Sequence, residues 1–326
     1  MDGYACSSWY FLRYTDPHND QRAWDPAKAN YWLPIDYYCG GDHAVSHLLY
    51  SRFWMHFFAD QGWIEKTRRE PVGKLVYNGY ILAHDGQKMS KSKGNVVNPD
   101  DLVEQGYGAD SIRLFEMFIA PYEQNTSWNI NGVPGTFRFL QRVWTLVQEF
   151  LAAPLSSATP EADIQVRTVA HKTIKRVSAD VEQLTFNTAV AAMMEAVNDL
   201  YKLKAAHGYT AVADWRFALE SLVQLLAPFA PHISEELWQQ LGHDGSVHTA
   251  TWPVHAEQYL VADRMTIAVQ VNGKLRAQLT IAADAAQEAI TAAAAAHDRI
   301  QPHLAGKSIQ KTIYVPARLV NFVTGA

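Results

Sequence analysis

The sequence predicts three successive domains of different class: α/β, then all-α, then a small α+β domain. Three observations carry this expectation. Up to about Asn131, short apolar stretches alternate between strand-like and helix-like pieces. From Val133 to about Gly242, apolar residues recur at three- and four-residue spacing. After Asp263, alternating strands flank Asn272-Gly273, the strongest short hairpin signal. The expected boundaries are 1–132 for the first domain, 133–256 for the bundle and 263–326 for the last.

Taken in order, His47 to Phe58 reads as a helix running on from a glycine-containing turn, and Lys74 to Tyr77 and Tyr80 to Leu82 read as short strands. Asn98-Pro99-Asp100-Asp101 starts a helix, with a capping side chain, proline in the first turn and acids at the positive helix end. Phe137, Leu140, Trp144, Val147 and Leu151 fall on one helical face, as do Phe186, Val190, Met193 and Val197. Pro154 to Pro160 reads as a connection, and Pro228 and Pro231 break the next apolar run before a last bundle helix ends at Gly242. Glu235 and Glu236 suit that helix's first turn, with Trp238 in the core. In the last domain, Thr266 to Val271 and Leu275 to Ile281 are strands, an alanine-rich helix capped by Asp284 follows, and Ile309 to Val315 and Leu319 to Val323 complete a β-β-α-β-β order.

Composition limits the function classes. No stretch approaches the roughly 18 uncharged apolar residues of a membrane helix, and the first residues lack the order of a secretory signal, so the expected location is cytoplasmic. Cys6 and Cys39 sit in no Cys-x-x-Cys spacing and are expected to be reduced packing residues. The net charge is −5, but Asp263 to Ala326 carries seven Lys/Arg against four Asp/Glu, a balance compatible with phosphate contacts or with a solvated face.

The most specific stretch is Lys88-Met89-Ser90-Lys91-Ser92, followed by Lys93 and Gly94 and preceded by the turn His84-Asp85-Gly86. Three ammonium groups within six residues repel one another unless an anion is present, and a triphosphate would supply it. Lys88 and Lys91 would then stabilise charge developing on departing pyrophosphate without forming bonds themselves. The alternative is a solvated basic loop. In Gly40-Gly41-Asp42-His43, glycines permit close backbone approach to a ligand, and Asp42 suits ribose hydroxyls. His43 and His47 share a helix face, which leaves a divalent-metal site as the rival to substrate binding and a packed core histidine as a third reading.

The lysine string matches the second ATP-binding motif of the class I aminoacyl-tRNA synthetases, and further runs resemble their leucyl members. These are Ser7 to Tyr14, Asn30 to Pro34, Gly40 to Tyr50, Tyr107 to Phe115, Val271 to Arg276 and Tyr314 to Asn321, so the likeness covers nearly the whole chain. Leu226 to Trp238 is similar to a stretch of synthetase anticodon-binding domains. The resemblance implies the second half of a Rossmann-like catalytic domain, a tRNA-holding bundle and a closing domain that leans on the tRNA body. It implies ATP, Mg2+, leucine and tRNA(Leu) as cofactors and partners. By the same token Lys88 and Lys91 would be catalytic, Gly40, Gly41, Asp42, His43, Met89, Ser90 and Ser92 would bind ATP or adenylate, and His47 would lie near the amino acid.

RNA contacts would fall to Lys274, Arg276, Lys307, Lys311 and Arg318, with Lys172, Lys175 and Arg176 as weaker candidates in the bundle. Two departures shape the expectation. No His-x-Gly-His motif is present, and no residues remain for an editing domain, so a fragment or split subunit is expected, inactive until joined by the N-terminal half. The stretch from Gly79 to Lys88 is too short for the leucine-specific insertion of some relatives. A tRNA-binding module without catalytic duty is the alternative.

Overall fold

In the computed structural model, Asn272 and Gly273 both take left-handed backbone conformations (φ 49° and 76°), as a two-residue hairpin turn demands. They join β5 (Arg264–Val271) to β6 (Lys274–Ala282). The structure describes residues 3–40, 44–129, 131–153, 160–209, 212–260, 264–282, 285–316 and 318–325, with backbone alone for 160–163, 264, 265 and 282. The described residues fall into two units: residues 1–152, 176–198 and 223–250, and residues 153–175, 199–222 and 251–326.

The first unit opens with short helices α1 (Tyr10–Tyr14) and α2 (Pro26–Trp32), the latter capped by the Asp25 carboxylate. Strand β1 (Ile35–Cys39), helix α3 (His47–Asp60) and strand β2 (Val72–Val76) follow, and β1 pairs with β2 in parallel. Leu12, Trp24, Ala29, Met55, Phe58 and Ile64 form the core that joins these helices. A second parallel pair is made by β3 (Ile81–Leu82) and β4 (Thr126–Ser127). Between them lie α4 (Pro99–Glu104), capped as expected by Asn98, and α5 (Gly108–Phe118). Their joint core is Leu102, Ile112, Phe115 and Val133.

The bundle helices are α6 (Val133–Ala152), α7 (Pro160–Glu182), α8 (Phe186–His207), α9 (Val212–Leu226) and α10 (Pro231–Gln240). Val190, Met193 and Val197 are buried as expected, with Phe186 half-buried. The buried face of α6 is offset from the expected one. It carries Thr136, Leu140, Val143, Val147 and Phe150, while Leu151 is exposed in the last turn, at the margin of this face. The expected connection from Pro154 lies outside the described residues up to the helix start at Pro160.

Three further expectations are corrected. Cys6 and Cys39 are exposed free thiols and pack no core. Glu235 lies beyond the first turn of α10, where its carboxylate accepts from Ser246 Oγ and Val247 N–H, both at 2.9 Å. The alanine-rich helix α11 (Gln287–Ala296) starts later than expected, at N-cap Ala286 with no side-chain cap; Asp284, the expected cap, lies outside the described residues.

The last sheet has the order β6-β5-β8-β7, with β7 (Ile309–Val315) antiparallel to β8 (Leu319–Thr324) and β8 parallel to β5. Ile267, Val269, Val271, Val320 and Phe322 pack one sheet face against Ile290 and Ala294 of α11 and Ile300 before the added turn α12 (Gln301–Leu304).

Candidate functional site

The lysine loop folds on itself around one asparagine. Asn95 Oδ1 accepts the Ser90 N–H at 2.9 Å, and its Nδ2 donates to the Lys88 carbonyl at 3.4 Å. Ser90 and Ser92 hydroxyls are 2.8 Å apart, Lys91–Lys93 form a single 3-10 turn, and the left-handed Gly94 ends it. Lys93 Nζ donates to Gln87 Oε1 at 2.7 Å. Lys88 Nζ stands 3.9 Å from the Tyr80 ring centroid, a cation–π contact that the sequence reading did not include. Lys91 is exposed at the head of the turn. The cations therefore share an ordered loop between β3 and α4, as the strand-to-helix placement requires.

Met89 lines a cavity of about 110 Å³ together with Ile81, Val97, Leu102, Ile112 and Trp128. Glu116 shares this cavity, and desolvation raises its carboxyl pKa against the pull of Arg113. No sequence signal marks it, since it arises from α5 crossing beneath the loop.

A second group gathers at the start of α3. The His47 Nε2 lies 2.7 Å from the Ser7 carbonyl and so carries the proton, leaving Nδ1 to accept from the Tyr38 hydroxyl. The Tyr38 and His47 rings are stacked 5.5 Å apart, and Tyr10 lies 5.7 Å from His47. Burial, then the neighbouring Tyr10, pushes the Tyr38 phenol above its ordinary pKa, which keeps it a donor. Gly40, with φ 142°, holds a conformation that side-chain-bearing residues rarely adopt, and its N–H donates to Val76 O at 3.1 Å. Gly41, Asp42 and His43 lie outside the described residues. Ser7, Tyr10 and Tyr38 meet His47 without a local signal in the sequence: Ser7 and Tyr10 lie in a run marked by resemblance alone, and Tyr38 lies in none.

The five expected RNA-facing cations of the last domain are all exposed but do not form one cluster. Strand pairing places Lys274, Arg276, Lys307 and Lys311 toward the sheet end that bears the Asn272-Gly273 turn, whereas Arg318 sits in the β7–β8 turn at the other end. In the bundle, Lys175 is paired with Glu257 at 3.0 Å and Arg176 with Glu195 at 2.8 Å, which weakens both as phosphate ligands. Among the described residues no helix is long and apolar enough to cross a membrane, and no group of three His, Cys, Asp or Glu is placed to hold a metal ion.

Residues 41–129 match the family model of class I tRNA synthetases (I, L, M and V), and residues 163–291 match that of the anticodon-binding domain of tRNA ligase. The chain is 47% identical over 332 residues to a leucine–tRNA ligase of Geobacter sp. (strain M21), covering 99% of this chain and 40% of the relative. It is 45% identical over 324 residues to that of Herpetosiphon aurantiacus, covering 99% and 39%. In structure it resembles the agnB2 LeuRS of Agrobacterium radiobacter K84 in a ternary complex with tRNA and LeuAMS, with TM-score 0.73 and 35% identity over 98% of this chain and 41% of that one. The chain thus spans about two fifths of the length of the relatives it matches.

Proposed function

We propose, from its homology along 99% of its length to leucine–tRNA ligases, that this chain is the C-terminal portion of such an enzyme. In this reading residues 1–132 are the second half of a Rossmann-like catalytic domain, 133–256 the anticodon-binding-type bundle and 263–326 the tRNA-binding α+β domain. The complete enzyme, in the cytoplasm, joins leucine to tRNA(Leu) in two steps. A leucine carboxylate oxygen attacks the α-phosphorus of ATP, forming leucyl-adenylate and releasing pyrophosphate; a terminal ribose hydroxyl of the tRNA then attacks the acyl carbon, releasing AMP.

The observation that carries the reading is the lysine loop folded around Asn95, with Lys91 exposed on it and Met89 lining the cavity beside it. Lys88 and Lys91 offset the charge that develops on the departing pyrophosphate, a contribution that needs positioned cations and no covalent step. Ser90 and Ser92 supply hydroxyls beside them, and Gly40 to His43 receive the adenylate. His47, its ring held by Ser7 and Tyr38, is assigned to the leucine end. Magnesium would accompany the nucleotide's phosphates.

The first unit also supports a missing partner. Strands β1 and β2 form a two-stranded parallel pair with Tyr37, Leu75 and Tyr77 exposed, and α3 exposes Leu49, Phe53 and Phe57 at four-residue spacing. Parallel strands are ordinarily covered on both faces, and the remaining portion of the ligase is the covering this reading assigns.

Leucine-dependent pyrophosphate exchange tests it. The 326-residue chain alone is expected to show almost none, and addition of the complementary N-terminal portion to restore it; robust exchange by the chain alone refutes the division of labour. In the reconstituted enzyme Lys91→Ala should lower adenylation about 10²-fold, and an unchanged rate would leave the chain as an RNA-holding module.

A further inference from the structure

Helix α10 begins without a cap of its own. Ala230 occupies the N-cap position, offers no side-chain acceptor and is followed by Pro231. The missing acceptor is supplied by a residue 123 positions earlier in the chain: Asp110, in the first turn of α5 and only 9% exposed, accepts the Ile233 N–H at 2.8 Å. The other oxygen of the same carboxylate lies 2.8 Å from His232 Nδ1. One turn further along α5, Arg113 Nη2 donates to the Pro228 carbonyl at 3.2 Å. Two side chains of one helix thus grip the connection between α9 and α10 and the first turn of α10.

The rest of α5 is rooted beneath the lysine loop. Ile112 and Phe115 pack with Leu102 and Val133, with Val97 and Trp128 against them. Ile112 also lines, together with Met89, the cavity beside the lysine loop. An eleven-residue helix therefore carries the bundle's clamp at its N-terminal end and a wall of the cavity beside the loop along its length. Side chains packed in one core shift together, so a shift of α10 is passed along α5 to the residues that line the cavity with Met89.

We propose that Asp110 is a positioning residue that couples α10 to the lysine loop, so that RNA held by the bundle changes the conformation of residues 88–97 through α5. The proposal rests on the synthetase reading above and deepens it by naming the joint through which bound tRNA reaches the nucleotide loop. A carboxylate at a helix N-terminus makes charge-assisted bonds to the exposed N–H groups, and a buried N–H left without it is costly, so α10 and α5 stay joined while the cap is intact.

Hydrogen exchange on the full 326-residue chain, with and without a tRNA(Leu) transcript, tests this. RNA is expected to change exchange across 88–97 by about fivefold or more, the scale of a helix cap. Asp110→Asn keeps an oxygen for Ile233 and should retain the response. Asp110→Ala should abolish it while binding RNA within about twofold of the native chain. A purely structural cap would lower the melting temperature without altering the loop's response, and that result overturns the proposal, as does a silent loop in the native chain with RNA bound. Should Asp110→Ala unfold, Arg113→Met decides: it removes the second grip alone and must diminish the response. Failure of the native chain to bind RNA at all would sink the synthetase reading and this proposal with it, whereas bound RNA with a silent loop sinks the coupling only.

Discussion

At the scale of single residues, both ring nitrogens of His47 are committed, one to the Ser7 carbonyl and one to the Tyr38 hydroxyl. Tyr38→Phe leaves the ring stacked but frees Nδ1. In the reconstituted enzyme this should raise KM for leucine about three- to tenfold with little change in kcat, the size of one hydrogen bond. An unchanged KM would remove His47 from the leucine end. A second residue-scale consequence is set by Asp16, whose carboxyl is held at about 2, well below its ordinary 3.8, by the Lys28 ammonium and then by Asn19. Since the unfolded chain takes up the proton first, the stabilisation is complete above about pH 4 and is lost as pH falls through about 2. Lys28→Met should therefore move the acid-unfolding midpoint upward in a circular dichroism titration, and a midpoint that stays put would show the pair to be idle.

Among elements, the segment from His255 to Tyr259 is strapped to α7. The His171 Nδ1 accepts the Ala256 N–H at 3.2 Å, its ring stacks on Tyr259 at 4.6 Å, and Arg167 donates to the Tyr259 hydroxyl at 2.8 Å. Burial, then the Arg167 and His255 charges, lowers the His171 pKa below its ordinary 6.5. The neutral ring that the strap needs is thus favoured in the folded chain, and this contribution is present above about pH 6.5 and fades as pH falls through the lowered value. Protection of the Ala256 amide, taken as its exchange relative to the intrinsic rate at each pH, should weaken from pH 7 to pH 5, and His171→Phe should flatten that dependence. Much at this scale was legible beforehand. Asn98-Pro99 and Asn272-Gly273 act through neighbours in sequence, and β7 and β8 fell where alternation placed them. What stayed hidden was long-range: nothing near Pro231 shows that its helix is capped by Asp110, and Glu235, which local rules assigned to that end, serves Ser246 and Val247 instead. The face of α6 was misjudged because a five-residue stripe cannot settle a 3.6-residue period.

For the molecule as a whole, the charge asymmetry read from composition resolves into position. Lys274, Arg276, Lys307 and Lys311 share one end of the last sheet, with Arg318 at the other. If that end rests on RNA, affinity for tRNA(Leu) should fall steeply with salt, and Lys274→Ala or Lys311→Ala should each reduce the salt slope by about 1 while Arg318→Ala leaves it unchanged. Equal effects at all five positions would mean a diffuse field rather than a contact edge. The site was legible in its strings and not in its gathering: the lysine loop is local, whereas the meeting of Ser7, Tyr38 and His47 depends on where β1 and α3 fold.

The bare strand pair β1–β2 also governs how the chain behaves in a tube. Open parallel edges beside exposed Tyr37, Leu75 and Phe53 offer any neighbouring copy a template for pairing and an oily face to settle on. Purified at high concentration without its complement, the polypeptide should cloud and precipitate, and light scattering should drop when the complement is supplied during refolding.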